Sequence, residues 1–286
     1  MSKLWGAFSY LPIDLAIAGR KMELAFRGVD AVLGAAVADV ATIATPWGDL
    51  AVEPHHRPQR FLIYFLENSL RYYRKSPLGA VLASLYEPGA TFIDVGANLG
   101  LYGLVARELG YYSVEVEPEP GHSAYLTKNE SLFGKVLPVA FSDQPGELPL
   151  YYNKDNSGAT SLMPAPNFVK GAGVVPVTTF SAAADRNDMG DPAAIKLVKV
   201  DVEGFEAEAV RGMEPFLAAG YRPHIWCEVR GDLSGRNKGS YRKVTAILEK
   251  YGYKAWDYKN GGPVQPVDEE LASREVFDLY YTPPAS

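Results

Sequence analysis

Residues 91–103, Thr-Phe-Ile-Asp-Val-Gly-Ala-Asn-Leu-Gly-Leu-Tyr-Gly, constrain the fold of this chain more than any other stretch. An apolar run that ends in a carboxylate and is followed closely by two glycines predicts a buried parallel strand, a tight turn and a helix start. Gly96 and Gly100 lack Cβ atoms, so the backbone there takes positive φ readily and approaches a ligand closely. The helix that follows points its free N–H groups into the same crevice. Asp94, at the strand's end, is placed to accept hydrogen bonds from a cationic or N–H-bearing group. The spacing departs from the dinucleotide fingerprint Gly-x-Gly-x-x-Gly at one place: Asn98 stands where the second glycine would admit a pyrophosphate. A cofactor without phosphates fits better.

From residue 91 onward, strands and helices alternate at the spacing of a doubly wound α/β sheet. Leu101 to Leu109 reads as a helix stopped by Gly110, and the strand Ser113 to Glu117 ends in an acid 23 residues beyond Asp94. An acid at this point hydrogen-bonds ribose hydroxyls in such folds, which assigns that role to Glu117; the alternative, a solvated glutamate, suits Glu115 and Glu119. Val136 to Phe141 reads as a third strand ending at Ser142-Asp143. Asp143 there either accepts from an adenine amino group or belongs to a plain turn, Ser142-Asp143-Gln144-Pro145-Gly146. Leu148 to Tyr152 predicts a strand, Asn156 to Leu162 a polar loop, and Val174 to Thr179 a short extended run.

The second informative stretch is Ala194 to Glu206. As a strand it throws Lys199, Asp201 and Glu203 to one side. Charges left unpaired on a central strand cost several kcal/mol. They must therefore pair, meet a ligand, or lie at the strand's open carboxyl end, where ligands bind in open α/β sheets. Glu206 to Leu217 predicts the next helix, with Glu206 as a candidate cap. The fifth strand, Pro223 to Arg230, carries Glu228 at its crevice end and His224, expected to be a hydrogen-bonded structural histidine, at the other. A helix Tyr241 to Tyr251, a strand Tyr253 to Tyr258, a turn Asn260-Gly261-Gly262 and a last strand Glu275 to Tyr281 follow.

The residues around Asp94 resemble motif I of class I S-adenosylmethionine-dependent methyltransferases. Glu117-Pro118-Glu119-Pro120 ahead of Tyr125-Leu126-x-x-Asn129, and above all Lys199-Val200-Asp201-Val202-Glu203-Gly204-Phe205-Glu206, resemble the FkbM family, whose most specific signature is Lys-x-Asp-x-Glu-Gly-x-Glu. The resemblance covers roughly residues 88–282. It implies a seven-stranded, mostly parallel sheet closed by an antiparallel hairpin, with S-adenosylmethionine as cofactor. It also implies O-methylation of a sugar hydroxyl on a glycan, glycolipid or natural product. Asp94, Gly96, Asn98, Gly100, Tyr102, Glu117, Ser142 and Asp143 are then the cofactor-binding candidates, and Lys199, Asp201, Glu203 and Glu228 the catalytic ones.

A carboxylate of pKa ~3.9 does not ionise an alcohol in advance: with water's ~15.7 as a stand-in, the gap costs ~16 kcal/mol. Two routes remain. Asp201 takes the proton late, concerted with methyl transfer, with Lys199 orienting it; or Asp201, Glu203 and Glu228 gather a Mg²⁺ that lowers the hydroxyl's pKa. A sugar-directed NAD(P)-linked oxidoreductase and a catalytically silent binding module are the rival classes, and Asn98 and the charged fourth strand count against the first.

The 28 Lys+Arg against 34 Asp+Glu argue against a nucleic-acid partner. Cys227 alone allows no internal disulfide, which suits a reducing, cytoplasmic interior. Residues 1–87 form a leading segment before the methyltransferase domain at 88–286. Leu4 to Leu15 and Val29 to Ala44 are charge-interrupted and fall short of the ~20 apolar residues of a membrane span. They read as helices packed on the domain or on a second copy, or as a peripheral membrane contact. Arg60 to Tyr73 has helical spacing. Trp47, His55, His56, Tyr72 and Tyr73 are candidates for a sugar site, with His55 or His56 a possible base unless His-His-Arg-Pro is a plain surface loop.

Overall fold

Apolar runs around Ile93, Val114, Val198 and Cys227 form adjacent strands, because each is buried on both faces and pairs on both edges. The computed structural model describes residues 42–53, 55, 57–153, 160–165, 168–233, 237–259 and 262–285. The described chain opens with a hairpin, β1 (Thr42–Thr45) and β2 (Gly48–Ala51), and two helices, α1 (Arg57–Lys75) and α2 (Pro77–Leu85). Then come β3 (Thr91–Val95), α3 (Leu101–Leu109), β4 (Tyr112–Val116), α4 (Pro120–Lys128) and β5 (Lys135–Leu137). A middle section holds β6 (Ala140–Phe141), β7 (Gly146–Asn153), β8 (Thr160–Ser161), β9 (Phe168–Thr178) and α5 (Phe180–Asp185). After β10 (Ile195–Val200) follow α6 (Glu206–Arg211), α7 (Glu214–Ala218), β11 (His224–Arg230) and α8 (Ser240–Glu249). The last elements are β12 (Lys254–Lys259), β13 (Gly262–Val264), α9 (Asp268–Ala272) and β14 (Val276–Thr282).

The main sheet has the order β13-β12-β14-β11-β10-β3-β4-β5. β5, β4, β3, β10 and β11 run parallel, and β14 wedges in antiparallel between β11 and β12. The seven expected strands are all present, and β13 adds a short eighth at the edge. From β3 the chain steps outward to β4 and β5, then returns to β10 on β3's other side. The sheet therefore switches direction between β3 and β10, and ligands bind at the carboxyl ends of such a pair.

Alternation along the strands sorts the core into two layers. Phe92, Leu197 and Trp226 face α1, α2 and α3, whereas Ile93, Val198 and Cys227 face α5 to α8. By the same alternation Asp94, Lys199 and Glu228 continue the first row toward the sheet's open end. Leu62, Leu66 and Leu70 of α1 pack into that layer beside Phe92 and Leu104, and so do Ile43, Leu50 and Val52 around the hairpin.

Three expectations are corrected in detail. Val136 to Phe141 is not one strand: it leaves the main sheet at Leu137, and Ala140–Phe141 joins a separate four-stranded sheet, β6-β9-β7-β8. Pro138 between them has no N–H for the ladder. The run at Val174 to Thr179 is the end of the eleven-residue β9. The helix expected over Glu206 to Leu217 is two short ones, because Pro215 would clash with the Arg211 carbonyl if the helix ran through.

The expected helix Leu4 to Leu15 and most of Val29 to Ala44, with the dimer or membrane contact expected of them, lie outside the described residues, as do His56, 156–159 and Asn260-Gly261. Among the described residues, no helix is long and apolar enough to cross a membrane.

Asn129, at the end of α4, clamps the leading hairpin to the domain. Its Oδ1 accepts from the Ala51 N–H at 2.7 Å, and its Nδ2 donates to the Ala51 and Tyr125 carbonyls at 2.9 Å each. Three hydrogen bonds of about 0.5–1.5 kcal/mol net, made by a buried side chain, are at stake. Asn129→Ala is expected to lower unfolding free energy in urea by about 2–4 kcal/mol and to speed amide exchange at Ala51.

Candidate active site

Above the carboxyl ends of β3, β10 and β11, several turns and the edge of α1–α2 enclose a cavity of about 400 Å³. The turn after β3 is held down by β4: the Gly96 and Ala97 N–H groups donate to the Val116 carbonyl at 2.9 and 3.2 Å. Gly96 has φ 83°, and a Cβ there would collide with the Asp201 carbonyl oxygen. Only glycine lets the turn after β3 pass so close under the turn after β10. The Asp201 N–H completes the junction by donating to the Val95 carbonyl at 3.0 Å.

Glu117 stands just past the end of β4, buried, on the cavity wall. Its Oε2 accepts from the Asn98 N–H and its Oε1 from the Glu119 N–H, both at 2.8 Å. Burial pushes its carboxyl up to about 7 against the pull of these two donors. Asn98 and Gly100, with φ 53° and 69°, complete the turn into α3.

Lys199 and Asp94 form a buried ion pair across neighbouring strands, Nζ to Oδ1 2.8 Å. The ammonium also donates to the Gly96 carbonyl at 3.2 Å and lies 3.5 Å from Asp201 Oδ2. Although burial opposes its charge, Asp94 and Asp201 hold Lys199 above the ordinary lysine range. Asp94 thus accepts from a cationic group as expected, the group being Lys199 of this chain, and Lys199 pairs more closely with Asp94 than with Asp201. Tyr102 lies with its ring centroid 5.8 Å from the Lys199 nitrogen, edge-on to Tyr73 and hydrogen-bonded to Ser76 Oγ at 3.2 Å.

Asp201, Glu203 and Glu228 come together, with one oxygen from each within 4.8 Å of the others. They do so by a different route from the alternation expected of a strand. β10 ends at Val200, and a turn through Glu203 at φ 56° and Gly204 at φ 104° brings Glu203 back over the sheet. Arg230 Nη2 reaches Glu203 Oε2 at 3.0 Å and Glu228 Oε1 at 3.5 Å. Burial, then Asp201 and Glu203, push the Glu228 carboxyl well above the usual range. Glu206 takes the expected capping position, its Oε1 accepting from the Gly204 N–H at 2.7 Å.

Ser142 and Asp143 are not brought to the cavity: Ser142 Oγ donates to Asp143 Oδ1 at 3.1 Å, and Asp143 Oδ2 pairs with Arg211 at 2.9 Å. Val139, Ala140, Phe141 and Leu150 line it there instead. Tyr72 and Tyr73 reach the cavity, while Trp47 packs against the apolar layer and His55 is exposed outside it. His224 accepts its structural role, 2.7 Å from the Tyr280 hydroxyl. Trp226 and Asp278 are among the lining residues that sequence reasoning missed. An acid inside the otherwise apolar run Val276 to Tyr281 was the available signal for Asp278.

A five-stranded parallel core with an inserted antiparallel strand, and a glycine turn facing a buried acid just past the next strand, define a class I S-adenosylmethionine-dependent methyltransferase fold. The sequence matches the family described as Methyltransferase FkbM domain over residues 94–255, spanning both the Asp94 turn and the Lys199–Glu206 stretch. The chain belongs to this family and is an S-adenosylmethionine-dependent methyltransferase. Among solved structures it is similar to magnesium protoporphyrin IX methyltransferase (ChlM) from Synechocystis PCC 6803 with bound SAM: 11% identity, 77% of this chain and 84% of that one, TM-score 0.40. It is also similar to a TehB-like SAM-dependent methyltransferase from Corynebacterium glutamicum (15%, 76% and 97%, 0.39). A third is precorrin-6y C5,15-methyltransferase from Geobacter metallireducens GS-15 (14%, 71% and 83%, 0.36). No curated protein sequence matches the chain.

Glu206 is fully buried with its Oε2 unpartnered, and burial raises its carboxyl to about 7. An acid whose folded pKa exceeds its unfolded value binds more protons when folded, so its stabilising share is lost as pH rises from about 4.5 to about 7. Glu206→Gln keeps the bond to Gly204 without the charge. Its thermal-melt advantage over wild type is expected to grow across that window and level off above it, reaching on the order of 1–3 kcal/mol.

Proposed function

We propose that this chain methylates a hydroxyl of a sugar on a glycan, glycolipid or glycosylated natural product. The observation that carries the reading is Asp201 at the junction of two half-cavities, oriented by a lysine whose charge is sustained by Asp94. On one side lie the Asp94 turn and Glu117; on the other, the aromatic and acidic residues Tyr72, Tyr73, Trp226 and Glu228.

The residues of the first half fit S-adenosylmethionine. Gly96, Asn98 and Gly100 shape a cradle beside Asp94, and Tyr102 closes it. Glu117, fixed by two backbone donors, keeps lone pairs for the ribose hydroxyls. The apolar strip Val139 to Phe141 suits the adenine, in place of Ser142 and Asp143. When bound, this cofactor supplies a methyl already activated on a sulfonium. What remains for the protein is to hold the acceptor in line, a contribution of about 7–11 kcal/mol, and to take up its proton.

Asp201 accepts that proton late in the transfer, since full prior ionisation of an alcohol by a carboxylate is out of reach by ~16 kcal/mol. Lys199 sets the carboxylate's orientation and steadies negative charge growing on the acceptor oxygen. Glu228, its carboxyl raised by burial and by Asp201 and Glu203, lines the same wall and offers a hydrogen-bonding group to the acceptor. Arg230 already supplies positive charge to Glu203 and Glu228, which favours this route over one through Mg²⁺. The leading segment before residue 88 contributes acceptor binding through Tyr72, Tyr73 and Leu78.

Asp201→Asn is expected to reduce S-adenosylhomocysteine formation at least 10²-fold while calorimetric affinity for S-adenosylhomocysteine stays within threefold; near wild-type rates would place the proton acceptor elsewhere. Dialysis against EDTA is expected to leave the rate unchanged, and rescue by added Mg²⁺ alone would favour the metal route.

A further inference from the structure

The acceptor side of the cavity holds a carboxylate for which the scheme above has no use. Asp278 on β14 sits opposite Glu228 of β11 in the antiparallel ladder, so both project from one face of the sheet. Its side chain is open to the cavity, not sealed under it. The Trp226 side chain donates a hydrogen bond to it, while burial and then the charge of Asp201 push its carboxyl up to about 6. An exposed carboxylate on the cavity wall with Trp226 as its donor keeps lone pairs for hydrogen-bond donors of a ligand.

The charge around it narrows the ligand. Asp94, Glu117, Asp201, Glu203, Glu228 and Asp278 line the cavity, whereas Lys199 is the one cationic side chain among the described lining residues. That ammonium is already bonded to Asp94 and to the Gly96 carbonyl. Arg230, behind the wall, is drawn to Glu203 and Glu228. A phosphate or carboxylate on the acceptor would enter a field of its own sign without a free partner. Hydroxyls and ammonium groups would meet acceptors, and the exposed Tyr72 ring offers a flat apolar surface beside them.

We propose that Asp278 is an acceptor-binding residue and that the ring it recognises is a neutral or amino sugar rather than a uronate or a phosphorylated sugar. The proposal rests on the reading of the site as a sugar O-methyltransferase and specifies the acceptor it takes.

The test uses the full chain with S-adenosylmethionine and p-nitrophenyl glycosides of glucose, galactose, mannose, rhamnose, glucosamine and glucuronic acid. S-adenosylhomocysteine formation is measured, alongside saturation-transfer NMR with S-adenosylhomocysteine present. At least one neutral or amino glycoside is expected to exceed the glucuronide tenfold or more in kcat/KM or in saturation transfer. For that glycoside, Asp278→Asn is expected to raise KM, or the NMR-derived Kd, about tenfold, with kcat within threefold and with melting temperature and S-adenosylhomocysteine affinity unchanged.

Equal or better use of the glucuronide, an unchanged KM in Asp278→Asn, or no turnover and no saturation transfer from any neutral or amino glycoside would overturn it. If Asp278→Asn does not fold, the charge ranking in the wild type and a KM increase in Tyr72→Ala decide the matter. Failure of wild type to bind S-adenosylhomocysteine at all is a separate outcome that removes the methyltransferase reading of the site, and the acceptor assignment with it.

Discussion

The buried pair of Lys199 with Asp94 is the interaction on which the rest of the site depends. Taking two charges out of water costs several kcal/mol each, repaid only by close geometry and further hydrogen bonds. The structure supplies both: 2.8 Å between the charges, and the Gly96 carbonyl as a further acceptor. The pair bridges β3 and β10 at the place where the sheet switches direction, so it joins the register of the central strands to the two turns above them. Removing either member would leave the other buried without its 2.8 Å partner at the floor of the cavity.

From that pair the two half-cavities follow. On the β4 side, backbone N–H groups of the Asp94 turn and the carboxylate of Glu117 hold each other in place, leaving a fixed acid at the edge of the crevice. On the β11 side, carboxylates accumulate faster than cations, and Arg230 offsets only part of the excess. Burial and neighbouring acids raise the carboxyls of Glu228 and Asp278 above their ordinary range. The helices α1 and α2 roof this side. Their apolar faces pack into the same layer as β3, and Tyr72 and Tyr73 at the end of α1 reach over the opening.

Much of this was legible in the residues. The Asp94 turn, the position of the acid at Glu117 and the structural part played by His224 follow from local pattern and strand order, whereas Asp201, Glu203 and Glu228 gather through a turn after Val200 that alternation did not foresee. Elsewhere the pattern was read too simply. Ser142 and Asp143 follow an apolar run, yet Pro138 diverts that run into a second sheet, and Arg211 from another element captures Asp143. Lys199 stands two residues from Asp201 but pairs with Asp94, which is 105 positions away.

The sequence by itself determined the seven strands of the main sheet, the glycine turn after β3 and the apolar runs of the central strands, because these rest on period, backbone freedom and side-chain volume within a few residues. Which carboxylate takes Lys199, how Arg230 divides itself between Glu203 and Glu228, and that Asp278 of the last strand faces the cavity were decided only by tertiary structure. Charge pairing depends on distances between strands far apart in the chain, and antiparallel insertion of β14 beside β11 sets those distances.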